Sequence, residues 1–174
     1  VGGKTAIDLD SGKNLAGAFY QPKLVICDTD CFETLPEEEF SNGMGEVIKY
    51  ACLFDKEMFE LLKSYEDFNE LYKDIEKVIY QCVDYKRKVV EEDVFDKGKR
   101  MLLNFGHTLG HAIEQYYGYK TYSHGEAVSI GMVQLTHISE KHGLTKPDTS
   151  SMISKLCQKY NLPVSSHLQV NHLM

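Results

Sequence analysis

The chain has 174 residues, of which 43% are hydrophobic and 26% charged, and its formal net charge is −7 at pH 7. This length supports one domain with a hydrophobic core, and the acidic balance argues against nucleic acid as the main partner. Because no apolar run approaches the roughly 18 residues of a membrane span and no signal-peptide pattern opens the sequence, we expect no membrane partner.

The cysteines indicate a reducing environment. All five (27, 31, 52, 82 and 157) lack Cys-x-x-Cys spacing, which predicts reduced, mostly buried thiols and a cytoplasmic location. The sequence opens with Val-Gly-Gly-Lys-Thr and not with methionine, so we expect a fragment of a longer chain.

The first 28 residues carry glycines at short intervals and show no helical pattern. The apolar run Leu24–Cys27 predicts a buried strand. Lys4, Lys13 and Asn14 lie beside glycines, where side chains and backbone N–H groups can bind an anion. Solvated surface turns are the favoured interpretation of these residues taken alone.

From residue 34 the pattern becomes helical. Glu46 and Lys49 stand three positions apart in an otherwise apolar segment, so they form a simple ion pair or face a cavity. Gly43 and Gly45 each cost a helix about 1 kcal/mol relative to alanine. This cost indicates a close approach of the backbone to another group, which favours the cavity.

Later segments predict three further helices. Residues 66–92 form an amphipathic pattern whose apolar stripe contains Lys86, which either extends its charge to solvent or points it into an internal anion site. Residues 126–142 begin apolar on nearly every side and predict a central helix, with His137 and His142 incidental at its polar end. Residues 149–160 predict another helix.

Between these helices, residues 100–126 hold an unusual polar stripe. At about 100° per residue of an α-helix, Arg100, Asn104, His107 and His111 fall within roughly 60° of one another. Arg and Asn are seldom buried without partners, so the stripe is a solvated face or the wall of a polar cavity. Solvated faces usually carry Lys and Glu, which favours the cavity.

His124 follows Ser123, a plausible helix cap, and precedes an apolar run. A turn after the first helix could bring His124 beside His107, and one carboxylate would then complete a three-ligand zinc site with an open position. The alternative is that His124 only caps or packs at a helix start.

Five segments in order resemble the 3-dehydroquinate synthase family: GGKT, GKNLAGAFYQP, GEVIKY, NFGHTLGHAIE and SHGEAVSIGM. The resemblance covers residues 1 to about 163. It implies a mainly α fold, the helical C-terminal domain of that family with a short β or irregular segment at its N-terminus. Residues 1–33 would be a junction that completes the nucleotide and substrate cleft, and residues 34–174 a helical metal- and substrate-binding domain, with the NAD-binding domain absent.

The resemblance also assigns roles to matching residues. The metal ligands would be Glu46, His107 and His124. The substrate carboxylate would bind Lys86 and Arg100. Groups around the substrate phosphate, also expected to be catalytic, would be Lys4, Asn14, Lys49, Asn104 and His111, the last as a proton relay. NAD contacts would come from Lys4, Lys13, Cys31, Phe32, Glu33 and Thr34.

The implied reaction converts 3-deoxy-D-arabino-heptulosonate 7-phosphate to 3-dehydroquinate and phosphate in the shikimate pathway. It requires NAD and zinc, with cobalt as a possible replacement, in a cytoplasmic homodimer. The isolated chain is expected to be inactive without the nucleotide domain. The alternatives are another sugar-phosphate cyclase, such as a deoxyinosose or valiolone synthase, a relative of iron-type alcohol dehydrogenases, or a non-catalytic helical zinc-binding or dimerisation module.

Overall fold

A β-hairpin precedes seven α-helices in the computed structural model, which describes residues 2–10 and 12–167, without the side chains of residues 8, 12 and 13. The antiparallel hairpin consists of β1 (Lys4–Leu9) and β2 (Gly12–Phe19). The α-helices are α1 (Glu37–Phe54), α2 (Lys56–Ser64), α3 (Phe68–Lys73), α4 (Ile75–Glu92), α5 (His107–Tyr116), α6 (His124–Lys141) and α7 (Thr149–Lys159). Two 3₁₀ helices span Thr29–Thr34 and Lys99–Asn104. The predicted mainly helical fold with a short N-terminal β segment is confirmed.

Helix α6 lies at the centre of the helical part. Val128 and Met132 of α6 are fully buried, and they share one core with Ile48 of α1 and Leu156 of α7. Burying each such side chain stabilises the fold by about 1.5–3 kcal/mol. The predicted central helix over 126–142 is therefore confirmed.

The backbones of α1 and α6 touch at two glycines. A Cβ on Gly45 would lie 2.7 Å from the carbonyl oxygen of Gly125, and a Cβ on Gly125 would collide with the carbonyl oxygen of Asn42. The Asn42 Oδ1 accepts a hydrogen bond of 2.6 Å from the Gly125 N–H, which satisfies one of the donors that a helix start leaves unpaired. The predicted close approach is confirmed at Gly45, whereas Gly43 has open space beside it.

The prediction of one continuous helix through residues 100–111 is wrong. The 3₁₀ helix Lys99–Asn104 ends before Gly106, whose φ of 77° is left-handed, and α5 begins at His107. A Cβ at Gly106 would lie 2.6 Å from the Met132 Cγ, so contact with α6 fixes this turn. The predicted helix over 66–92 is likewise two helices, α3 and α4, interrupted at Asp74, whose carboxylate accepts a hydrogen bond from Tyr65.

The predicted buried strand at Leu24–Cys27 is also wrong. Leu24 and Ile26 are 74% and 80% exposed, and the segment has no strand conformation. Within residues 2–10 and 12–167 the sheet contains only β1 and β2, and the segment pairs with neither of them, so its apolar composition alone did not make it a strand.

Two further observations concern the burial of the cysteine thiols and the search for membrane-spanning helices. The prediction of mostly buried thiols holds for three of the five: Cys157 is buried and Cys52 and Cys82 are half-buried, whereas Cys27 and Cys31 are exposed. All five are free of disulfides. Over the described ranges, we find no helix with the length and apolar character that crossing a bilayer requires.

Candidate active site

A polar cleft of about 760 Å³ lies between the β-hairpin and the helices. The hairpin, α1, α4, the 3₁₀ helix Lys99–Asn104, and the first residues of α5 and α6 all contribute to its wall. Its polar side chains include Lys4, Asn14, Glu46, Lys49, Lys86, Asp96, Arg100, Asn104, His107 and His124. The structure therefore brings together most of the residues that the sequence singled out, although they come from separate elements.

Three of these side chains converge on one point. The Nε2 atoms of His107 and His124 lie 3.3 and 3.7 Å from the Glu46 Oε1, and the two imidazole centroids are 5.1 Å apart. Helix α1 presents Glu46 one residue after the glycine contact with α6. His124 is the first residue of α6, where the Ser123 N–H and hydroxyl both donate to the Glu126 carboxylate. The predicted helix start at Ser123 and the predicted meeting of the two imidazoles are confirmed.

The Glu46 carboxylate stays ionised in this setting. Burial raises its pKa, but the neighbouring imidazoles of His107 and His124 and the Lys49 ammonium lower it by more, so the pKa lies far below its usual range. The Glu46 Oε2 accepts a hydrogen bond of 2.7 Å from the Lys49 Nζ, whereas the buried Oε1 has no hydrogen bond with any of the described residues. Glu46 and Lys49 therefore form an ion pair and also face the cavity.

The residues fit a divalent metal. Each histidine turns its Nδ1 toward an acceptor, the Phe105 carbonyl at 3.2 Å for His107 and the Glu114 carboxylate at 3.4 Å for His124. With its hydrogen on Nδ1, each neutral ring offers a lone pair at Nε2, so the two Nε2 atoms and the Glu46 Oε1 can share a cation in place of the imidazole protons that lower the Glu46 pKa. A cation among them would satisfy all three, and two imidazoles with one carboxylate are the donor set of catalytic zinc sites.

Cationic side chains line the cleft beside this cluster. Lys49 is only 2% exposed, and burial lowers its pKa, with Lys86 adding to the decrease and Glu46 opposing it. The Arg100 guanidinium is 4% exposed and donates to the carbonyl oxygens of Val94 and Gly2 at 3.0 and 2.8 Å. A guanidinium has five N–H donors, and these two hydrogen bonds are the ones that the Arg100 side chain makes among residues 2–10 and 12–167, which leaves donors to offer a ligand.

Asp96 is a cleft residue that the sequence analysis missed. Its carboxylate forms an ion pair with Lys4, and its buried Oδ1 has no hydrogen-bond partner in the part of the chain that the structure describes. Its backbone has a left-handed φ of 57° in the turn before the second 3₁₀ helix. A single aspartate in a charged turn has no periodicity or motif that would have identified it.

The other predicted site residues whose side chains are described lie outside the cleft wall. His111 is exposed on α5, with its ring centroid 5.5 Å from that of His107 and 5.9 Å from that of His124. The predicted NAD residues Cys31, Phe32, Glu33 and Thr34 lie in the first 3₁₀ helix, away from the metal cluster. The side chain of Lys13 falls outside the described part of the chain. The roles of these residues stay predictions.

Comparison with known proteins decides the family. A sequence profile described as "3-dehydroquinate synthase C-terminal" matches residues 43–174, and one described as "3-dehydroquinate synthase N-terminal" matches residues 1–42. The chain belongs to the 3-dehydroquinate synthase family. Among similar members of the family, the 3-dehydroquinate synthase of Clostridium perfringens strain 13 is 52% identical over 173 residues, which are 99% of this chain and 49% of that protein. That of Clostridium beijerinckii is 55% identical over 163 residues, 94% of this chain and 47% of that protein.

Solved structures of two synthases have the same fold. A 2-deoxy-scyllo-inosose synthase is 30% identical with a TM-score of 0.77, covering 92% of this chain and 46% of the other. A 2-epi-5-epi-valiolone synthase from Streptomyces hygroscopicus, with NAD⁺ and Zn²⁺ bound, is 23% identical with a TM-score of 0.89, covering 99% of this chain and 49% of the other. The chain spans about half the length of the family members and cyclases that it matches.

Proposed function

We propose that this chain is the metal- and substrate-binding half of a 3-dehydroquinate synthase. The observation that carries the proposal is the convergence of Glu46, His107 and His124 on one point in a cleft lined by lysines and an arginine. The reaction would convert 3-deoxy-D-arabino-heptulosonate 7-phosphate to 3-dehydroquinate and phosphate. Family members at about half identity carry that name, and a 2-deoxy-scyllo-inosose synthase of the same fold is described in complex with carbaglucose-6-phosphate, NAD⁺ and Co²⁺.

Glu46, His107 and His124 would hold a divalent metal, zinc or cobalt. When bound, the metal would act as a Lewis acid on a substrate hydroxyl and the ketone derived from it. The ion pair with Lys49 keeps the Glu46 carboxylate oriented and charged. The backbone contact between Gly45 and Gly125 sets the spacing between the glutamate and His124.

The cationic wall would bind the anionic substrate. Arg100 and Lys86 would hold the carboxylate, for which a planar guanidinium suits bidentate binding. The phosphate would lie among groups contributed by the hairpin and the helices, which are Lys4, Asn14, Lys49, Asn104 and His111. A cationic cleft in a chain of net charge −7 would concentrate a polyanionic ligand where it reacts.

His111 and the lysines of the cleft would serve the elimination of phosphate. When bound, NAD would supply the reversible hydride chemistry that makes a substrate hydroxyl a ketone, beside which a C–H bond is more acidic. His111, beside the metal cluster, would relay a proton, with the substrate phosphate as an alternative base. The lysines would stabilise the departing phosphate.

The proposal also covers the NAD contacts, the division into domains and the assembly of the whole protein. NAD would contact Lys4, Lys13, and residues 31–34. The division at residues 33 and 34 would separate a junction from the helical domain, while the two family profiles meet at residues 42 and 43. The whole protein would be a cytoplasmic homodimer.

Another sugar-phosphate cyclase activity is the main competing function, since the 2-deoxy-scyllo-inosose synthases share the fold at 29–30% identity. Arg100 and Lys86 favour a substrate with a carboxylate. In an iron-type alcohol dehydrogenase, the histidine that corresponds to His111 would bind the metal. Here His111 does not belong to the group formed by Glu46, His107 and His124. A non-catalytic zinc-binding module would bind metal and release no phosphate when joined to a nucleotide domain.

Metal content tests whether Glu46, His107 and His124 bind a metal. Mass spectrometry of protein purified without chelator should find about one zinc per chain, lost in Glu46→Gln and His107→Ala and retained in His137→Ala, whose histidine is exposed on α6. Loss of zinc in His137→Ala to the same extent would contradict the ligand assignment.

Phosphate release tests the reaction. With the nucleotide domain restored, 3-deoxy-D-arabino-heptulosonate 7-phosphate should release phosphate, and glucose 6-phosphate, which lacks the carboxylate, should not. The reverse preference would indicate the competing cyclase. Robust release from the 174-residue chain alone would contradict the expected need for the nucleotide domain.

A further inference from the structure

Glu114 is a buried carboxylate beside the proposed metal cluster. It lies on α5, two turns after His107, and is 3% exposed. Its Oε2 lies 3.4 Å from the Nδ1 of His124 on α6. A carboxylate is expensive to bury unless it has hydrogen-bonding or charged partners, so its position between two helices calls for an explanation beyond packing.

The two histidines of the cluster are held in the same way. Nδ1 of His107 lies 3.2 Å from the Phe105 carbonyl, and Nδ1 of His124 faces Glu114. In both rings the opposite nitrogen, Nε2, points to the Glu46 Oε1. Each acceptor therefore selects the tautomer whose Nε2 is free to bind a cation.

The two rings differ in how far packing restrains them. The His107 side chain is 14% exposed and the His124 side chain 41% exposed. The less restrained ring is the one that faces a charged acceptor, which is a stronger partner than a carbonyl.

We propose that Glu114 is a positioning residue that holds His124 with its hydrogen on Nδ1 and its Nε2 toward the metal. The inference rests on the proposed metal role of Glu46, His107 and His124. A carboxylate behind a metal-bound imidazole fixes the ring and increases its basicity as a ligand, and loss of such a partner commonly weakens metal binding 10- to 100-fold.

Two other roles are possible for Glu114. It also belongs to a second group of possible metal ligands with His111 and His124, in which it would bind a cation directly. It could instead only join α5 to α6. The experiment separates these roles because they differ in metal stoichiometry, in the nitrogen that binds metal and in the effect of a neutral replacement.

The first measurement is zinc affinity, by competition with a chromophoric chelator, in Glu114→Gln and Glu114→Ala. Glutamine keeps an acceptor oxygen without the charge, so we expect zinc to bind roughly 10-fold more weakly, and up to 100-fold more weakly with alanine. In the Co²⁺-loaded protein, both variants should shift the visible absorption bands, since the geometry at His124 changes. Glu114→Asp should recover part of the affinity because it keeps the charge.

Glu140→Gln is the matched control. Glu140 also joins two helices through its carboxylate, accepting from the Ser150 N–H and hydroxyl at 2.7 Å each, but it lies at the far end of α6. We expect this variant to lower the melting temperature and leave zinc affinity and the Co²⁺ spectrum unchanged. Equal zinc affinity in wild type and Glu114→Ala would overturn the proposal, as would a second zinc per wild-type chain that Glu114→Ala removes.

A measurement on the wild type keeps the proposal testable if the variants fail to fold. Long-range ¹H–¹⁵N spectra of the zinc-loaded protein should show His124 protonated on Nδ1 and metal-bound through Nε2. Binding through Nδ1 would overturn the proposal. If Glu46→Gln leaves zinc content unchanged, the proposed metal site itself fails; if Glu46→Gln loses zinc and Glu114→Ala does not, only the role of Glu114 fails.

Discussion

Replacing Gly45 with alanine should loosen the proposed metal site from a distance. The added Cβ would lie 2.7 Å from the Gly125 carbonyl oxygen and 2.8 Å from its Cα. Carbon atoms pack at about 3.5–4.0 Å, so α1 and α6 must separate by roughly 0.7 Å. This displacement carries Glu46 away from His124, and it exceeds the tolerance of about 0.2 Å in metal–ligand distances.

The change in the free energy of unfolding caused by Gly45→Ala is the difference between a gain in helix propensity and the cost of a tight contact. Alanine improves helix propensity by about 1 kcal/mol, whereas an extra methyl group in a tight contact costs about 1–3 kcal/mol. The contact dominates, so the net loss is about 1 kcal/mol, or roughly 2–4 °C in melting temperature for a chain of this size. A Cβ on Gly43 would meet no atom of the described residues within 4 Å, so Gly43→Ala gains the propensity alone and should raise the melting temperature by a similar amount.

Thermal unfolding by circular dichroism, with chelator and with excess zinc, measures both effects. Gly45→Ala should melt below wild type and bind zinc roughly tenfold more weakly, as expected when the support of a ligand is disturbed. Gly43→Ala should melt above wild type with unchanged affinity. If both variants bind zinc equally, the helix contact does not set the distance between Glu46 and His124.

Three further predictions concern thiols, pH and a turn. Burial raises the pKa of the Cys52, Cys82 and Cys157 thiols to about 12, so at pH 8 a disulfide reagent should rapidly modify only the other two cysteines; fast reaction of more than two would refute this. Hydrogen bonds from Ser150 hold the Glu140 pKa below its usual range. The ionised Glu140 carboxylate therefore stabilises the fold fully above about pH 4.3, the pKa of an unperturbed glutamate, and this stabilisation is lost as the pH falls through the lowered pKa of the folded protein. The gap in urea-unfolding free energy between wild type and Glu140→Gln should therefore narrow below that pH, and a constant gap would contradict the assignment. Gly106→Ala combines a left-handed backbone with a contact of 2.6 Å to Met132 and should cost about 2–4 kcal/mol in the same assay; a loss below about 1 kcal/mol would show that the turn can relax.

The features that the sequence predicted correctly depend on local pattern or on family motifs. The apolar run after Ser123 identifies the central helix and its first residue. Glycine at position 45 indicates a close contact, because its helix cost needs a reason. The resemblance places Glu46, His107 and His124 together, and they converge.

The features that it missed depend on contacts distant in sequence. The break at Gly106 arises where α6 passes behind it, so a periodicity argument within residues 100–111 could not detect it. The run Leu24–Cys27 has strand composition, but it pairs with neither β1 nor β2, and composition does not reveal whether a partner strand is in reach. Asp96 and Glu114 acquire their partners from β1 and α6, and isolated acidic residues carry no local signal.

The order of the site residues along the chain has a consequence for folding kinetics. Helices α2 to α5 lie between Glu46 and the start of α6, so the three proposed ligands come together only after a long loop closes. Contacts between residues distant in sequence form slowly, because chain entropy is lost before they contribute stability. We therefore expect zinc capture to follow docking of α6 on α1, which would make the appearance of metal-bound protein in a refolding experiment a measure of a late folding step.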